Sequence, residues 1–181
     1  MNKSRVNLSD SEKQKYLTEH LPYRLNSLRA YDVYIKRRKA SNYKKELPSL
    51  KCYWESEFLE PAFEVSIVFG RSLLNFLGIM RGNNGLQNFE AHEIKDSDKD
   101  TVFIWHINDK GYYPINKLDI ESQNHLLNLI KIANKSVAHL TTKNSTEQEQ
   151  NSLLPAREII YNIMLEHVEG LDTTNLWWTR G

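Results

Sequence analysis

Cysteine is almost missing from this chain, which has Cys52 and no other. A disulfide framework within the chain and a cysteine-based zinc site are both excluded, and a reducing cytoplasmic setting is expected. Charge of one sign is not in excess either: 24 lysines and arginines face 23 aspartates and glutamates, a formal net charge of +1. That global balance favours neither a nucleic acid nor a membrane as partner. Long uncharged runs are also lacking. The most apolar stretch, PAFEVSIVFGRSLLNFLGIM at 61–80, contains Glu64 and Arg71, whereas a membrane-crossing helix needs about 20 largely uncharged residues. The amino terminus, MNKSRVNLSDSEKQ, has no apolar core of the kind a secretory signal requires. There is no phosphate-cradling glycine loop, no Gly-x-Ser-x-Gly elbow and no His-Glu-x-x-His segment. Nucleotide hydrolases, α/β-hydrolases and helical zinc proteases are thereby set aside.

What the chain does have is helical spacing. At 181 residues, 40% of them hydrophobic, it suits one domain with a real core. Val65, Phe69, Leu73, Phe76 and Met80 recur at steps of four, four, three and four, and Ile67, Val68, Leu74 and Leu77 widen the stripe. This predicts a central helix, apolar around most of its circumference, with Arg71 embedded in it. An embedded arginine needs a route to solvent or an acidic partner, for which Glu55, Glu57 and Glu64 are at hand.

Ser9 and Glu12 have capping-box spacing and predict a helix start near Asp10. Leu17, Leu21, Leu25, Leu28 and Ile35 carry the pattern on to about Arg38, with Pro22 expected to break it near His20 and a main first helix at 22–39. Leu126, Leu129, Ile130, Ala133, Val137 and Leu140 define a helix beginning near Asp119 or Glu121. Ala156, Ile160, Ile163, Met164 and Val168 define a last one, closed by Gly170. Between the central helix and the next, TVFIWHI at 101–107 has strand composition and precedes the turn formers Asn108, Asp109, Lys110 and Gly111. The expected fold is mainly α, a single domain (1–181) built as an up-and-down bundle of four to five helices. A small β-hairpin is expected within an insertion at 83–117, and a polar loop at 141–152. Trp177 and Trp178 are expected to dock on the bundle or on a second subunit.

Metal ligation finds little support. Asp96, Asp98 and Asp100 alternate as in a calcium loop, but Thr101 and Ile107 stand where such a loop needs glycine and its closing glutamate. Glu90, His92 and Glu93 lack a shared helical face. No metal site and no cofactor are expected. Lys36, Arg37, Arg38 and Lys39, with Lys44 and Lys45 beyond and Tyr34 and Tyr43 among them, have two readings. Positive charge in a last helical turn complements the helix dipole; the same cluster can also bind RNA phosphates, with tyrosines available for stacking.

The segment ANKSVAHL at 133–140 resembles the motif of the HEPN superfamily, helical bundles that include RNA-cleaving toxins, phage-defence effectors and silent binding modules. That motif is an arginine followed by a polar residue, with a histidine a few residues later. Asn134 and His139 match the polar residue and the histidine, while Ala133 occupies the arginine's place. The resemblance implies a metal-independent endoribonuclease, or an RNA-binding relative of one, in a toxin–antitoxin or phage-defence system. Cleavage without metal requires a base, an acid and positive charge on the transition state. His139 would be the acid or base and Asn134 would orient it, with Arg71 or Lys135 replacing the absent cation. On a straight α-helix Asn134 and His139 stand about 140° apart, so convergence needs the helix to change course or a second subunit. The bland reading of His139 is a residue that ends its helix. The alternative function is a non-catalytic protein-interaction module, a homodimer or the partner of a cognate protein, contacting through the hairpin and Trp177/Trp178.

Overall fold

A computed structural model describes residues 6–40, 60–89, 100–137 and 151–176. The chain is mainly helical, with one small antiparallel sheet. Helix α1, Asp10–Lys15, begins as its sequence predicts. Ser9 Oγ accepts from the Glu12 amide, and the Glu12 carboxylate accepts from the Ser9 hydroxyl at 2.6 Å and the Ser9 amide at 2.7 Å, bonds that hold the carboxyl below its usual range.

The interruption expected near His20 is a change of helix type rather than a gap, and the main first helix begins within one residue of Pro22. The chain passes from α1 through a π turn, Tyr16–His20, directly into α2, Leu21–Ala40. Within an α-helix the proline ring clashes with the carbonyl four residues back. A wider turn just before it, closed by the Leu21 amide on the Tyr16 carbonyl, relieves that crowding and keeps the two segments continuous.

Helix α3, Glu60–Phe76, lies in the centre of the bundle with its face turned from the one the large apolar residues suggest. Val65 and Val68 are exposed, at 41% and 44%, and Phe69 is half-buried; the buried line runs through Ser66, Ile67, Gly70, Leu73, Leu74 and Leu77. The small residues mark the close approach. A Cβ on Gly70 would stand 3.0 Å from Leu129 and 3.3 Å from Leu28, so helix contact is set where side chains are smallest. Arg71, off that line, is exposed, which overturns the embedded arginine expected from the sequence.

Gly78, with φ of +73°, ends α3, and a Cβ there would meet Tyr112 Cβ at 2.7 Å. The hairpin follows at once: β1, Ile79–Arg81, pairs with β2, Leu86–Asn88, around the Asn83-Asn84-Gly85 turn. The strands therefore precede the segment predicted to form them. Residues 104–106 of that segment make a 3-10 turn, because its apolar residues do not alternate. Phe103 and Ile104 are adjacent and both fully buried, Phe103 stacking on Trp105 and Phe89 while Ile104 joins the main core. Asn88 pins the loop that follows, donating to the Tyr113 carbonyl at 2.7 Å and accepting from the Ile115 amide at 3.2 Å.

Helix α4, Ile120–Ile132, is capped by Asp119, whose carboxylate accepts from the Ser122 amide at 2.7 Å and is held below its usual range by that bond. Helix α5, Leu153–His167, buries Ala156, Ile160, Ile163 and Met164 as expected, and Gly170 follows with φ of +73°. Residues 168–176 fold back: the Asp172 amide donates to the Leu17 carbonyl, Asn26 donates to the Asn175 carbonyl and Leu176 is fully buried. Among the described residues no helix is long and apolar enough to cross a membrane.

Candidate nucleic-acid interface

The HEPN-like segment sits where α-geometry stops. Helix α4 opens at Ala133 into a π turn, Ala133–Val137, which packs against α3. Ala133 is 3% exposed, so the place of the motif's arginine is a core position. Asn134 is half-buried and Lys135 is exposed, and His139 lies outside the described residues. The 140° separation of Asn134 from His139 presupposed an unbroken α-helix. In a π turn residues five apart, rather than four, lie one turn above another.

Of the proposed cations, Arg71 is exposed on α3 and Lys135 on the π turn. Lys36 is exposed on α2. Arg37, Arg38 and Lys39 continue that helix, and Lys44 and Lys45 lie outside the described residues, as do Trp177, Trp178, Asp96, Asp98, Glu90, His92 and Glu93. Asp100 is exposed. No group of three metal-capable side chains occurs among the described residues.

The buried cation is instead Arg157 of α5, 2% exposed. Its Nε and Nη2 donate to the two Asp32 oxygens at 2.8 and 2.6 Å, and Nη1 donates to Ser66 Oγ at 3.3 Å. Its guanidinium also lies 5.7 Å from the ring centres of Tyr31 and Phe63. The Ser66 hydroxyl in turn donates a hydrogen bond to the Phe63 carbonyl at 2.6 Å. The network joins α2, α3 and α5, with each of the three guanidinium nitrogens donating one hydrogen bond. A signal for it exists in the sequence: Asp32 falls on the inward line of Leu25, Leu28 and Ile35, and Arg157 on that of Leu153, Ile160 and Met164, opposite charges each in a core position.

Two turns away on the same pair of helices is an open counterpart that sequence reasoning also missed. Tyr23, 61% exposed, meets Phe69 edge-on with centroids 5.7 Å apart. Arg24 stands 6.0 Å over the Phe69 ring and donates from Nη1 to the His20 carbonyl at 3.2 Å. No carboxylate pairs with Arg24 among the described residues. Arg71 is not part of this cluster, being about 200° round α3 from Phe69, and Lys36 is about 220° round α2 from Tyr23. An exposed ring beside an oriented guanidinium suits a stacked base with a nearby phosphate.

No protein-family model matches the chain, and no solved structure matches it. Among curated proteins, UvrABC system protein C of Methanosphaera stadtmanae is 32% identical to it over 80 residues. Those residues cover 44% of this chain and 13% of that protein. The likeness is thus partial on both sides.

Proposed function

We propose that this chain is an RNA-binding helical bundle of HEPN-like type that works in the cytoplasm. The observation that carries the reading is the open Tyr23–Phe69–Arg24 cluster, in which a well-exposed aromatic ring and a guanidinium with no acidic partner among the described residues share one surface. Single-stranded RNA offers such a surface an unpaired base and a phosphate together. The basic end of α2, from Lys36 to Lys39, supplies a second phosphate contact elsewhere on the bundle. Binding of a labelled single-stranded RNA should weaken linearly in log–log form as salt rises. Tyr23→Ala should weaken it at every salt concentration, and joint neutralisation of Lys36, Arg37 and Arg38 should flatten the salt slope. RNA affinity unchanged by both sets of substitutions contradicts the reading.

Cleavage rests on His139. What supports it is that α-geometry already gives way at Ala133–Val137, so the 140° separation expected of a straight α-helix does not apply through that segment. Purified protein should then degrade RNA with EDTA present, and His139→Ala should stop it. Equal degradation by that variant assigns the activity to a contaminant.

A second reading, self-association, is favoured by one observation: Val65 and Val68 expose apolar surface on the outer side of α3. Val68→Glu should shift a homodimer to monomer in sedimentation equilibrium. A wild-type chain that is monomeric at high concentration removes this reading.

A further inference from the structure

Beside the open cluster the bundle has a pocket of about 140 Å³ between α2, α3 and the loop entering the 3-10 turn at Ile104–His106. The buried side chains of Leu21, Leu73 and Phe76 back it, while more of its accessible lining is polar than apolar, with Arg24, Ser72 and Asn75 among the polar side chains. We propose that this pocket receives one unpaired nucleotide of the bound RNA, its base edge against Ser72 and Asn75 and its phosphate against Arg24. The proposal rests on the RNA reading above and names where a single base is held.

Three features select that ligand. Size is the first. The space equals roughly five water volumes of about 30 Å³ each, well below the roughly 300–1,000 Å³ of pockets that bury a whole drug-sized ligand. It takes one ring system and leaves the rest of the molecule outside, as a nucleotide within a strand requires.

Charge is the second. Among the described residues Arg24 is the ionised side chain of the lining and no carboxylate accompanies it there, so an anionic group is preferred. The contact with the His20 carbonyl uses one of the five guanidinium N–H groups and fixes the plane over Phe69.

Hydrogen-bonding capacity is the third. Ser66, one and a half turns earlier on α3, spends its hydroxyl within the protein. The Ser72 hydroxyl and the Asn75 side-chain amide make no hydrogen bond within the described residues, although both line the pocket. An amide offers a donor and an acceptor side by side, the pair that the edge of a base presents in return. Arg24 belongs both to this pocket and to the Tyr23–Phe69 cluster, so a base inside and a base stacked outside would be served by one cation.

The test is an amide NMR titration of the full chain with uridine 5′-monophosphate, adenosine 5′-monophosphate and inorganic phosphate in turn. A mononucleotide should move the Ser72, Asn75 and Thr101 signals saturably, and inorganic phosphate should bind at least tenfold more weakly. Ser72→Leu, which fills the rim from an exposed position, should weaken mononucleotide binding at least tenfold with the remaining spectrum intact. Arg24→Gln should weaken it comparably without filling any space. Shifts elsewhere, no shifts with either mononucleotide, equal affinity for inorganic phosphate, or undiminished binding by both variants overturns the proposal. The two readings fail separately. Mononucleotide binding here by a chain that does not bind RNA leaves the pocket standing, whereas RNA binding as tight in Ser72→Leu as in wild type removes the pocket alone.

Discussion

Helices α2 and α3 meet through two aromatic pairs, Tyr31 with Phe63 and Tyr23 with Phe69, each edge-on and each attended by an arginine. At the first pair Arg157 is sealed in by Asp32 and Ser66. At the second Arg24 has a backbone carbonyl and, among the described residues, no acid. On the proposed reading the same residue types serve two ends. A guanidinium taken out of water must have its donors satisfied and its charge matched, or folding loses several kcal/mol. One left at the surface costs little and keeps its donors for a ligand. Closure by a carboxylate separates architecture from contact here.

The sharpest way to break the comparison is to remove one charge from the closed cluster. Arg157→Met should lower unfolding free energy by about 3–5 kcal/mol in urea titration, because Asp32 is left buried and unpaired. Adding Asp32→Leu should restore most of that loss, since an apolar pair replaces the ionic one. A double variant as unstable as the single one would mean that the ion pair itself is indispensable.

Ser66→Ala should cost about 1–3 kcal/mol, the penalty for a buried donor of Arg157 left without its acceptor. At the open cluster the effects should exchange places. Tyr23→Ala should change stability by less than about 0.5 kcal/mol and weaken RNA binding by about 1–3 kcal/mol, the usual worth of one stacked base.

The smallest effect concerns pH and a second closed contact. His106 Nδ1 accepts from the Phe103 amide at 2.9 Å, and burial holds the ring's pKa below 6.5. The unfolded chain then binds more protons than the folded one as pH falls below about 6.5, so His106 contributes a loss of stability from there down to its lowered pKa. The His106 ring signals should titrate below pH 6.5 in NMR, and His106→Asn should reduce the fall in Tm between pH 7.5 and 5.5.

Local signals were the legible part of the sequence. The Ser9/Glu12 box, the Asp119 start and the inward line of Ala156, Ile160, Ile163 and Met164 stand where spacing puts them, because each depends on neighbours within one or two turns. The facing of α3 was misjudged, since following large apolar residues passed over Ser66 and Gly70, where a neighbouring helix comes closest. Arg71 was given the buried role that Arg157 fills, for the same reason: being embedded depends on helix phase, not on apolar neighbours in sequence. The strand composition of 101–107 was outweighed by tertiary packing, which wanted Phe103 and Ile104 in two different clusters. The open cluster could not be read at all. Tyr23 and Phe69 are 46 positions apart, and only the antiparallel packing of α2 on α3 brings them together.

The most direct test of the central claim, that RNA is met at the open cluster, is photocrosslinking of a single-stranded RNA containing 4-thiouridine, followed by mass spectrometry of the attached peptides. The account predicts attachment at Tyr23 or its immediate neighbours, lost on competition with unlabelled RNA. Attachment confined to other surfaces, with the Tyr23 peptide unmodified at saturating RNA, would contradict it.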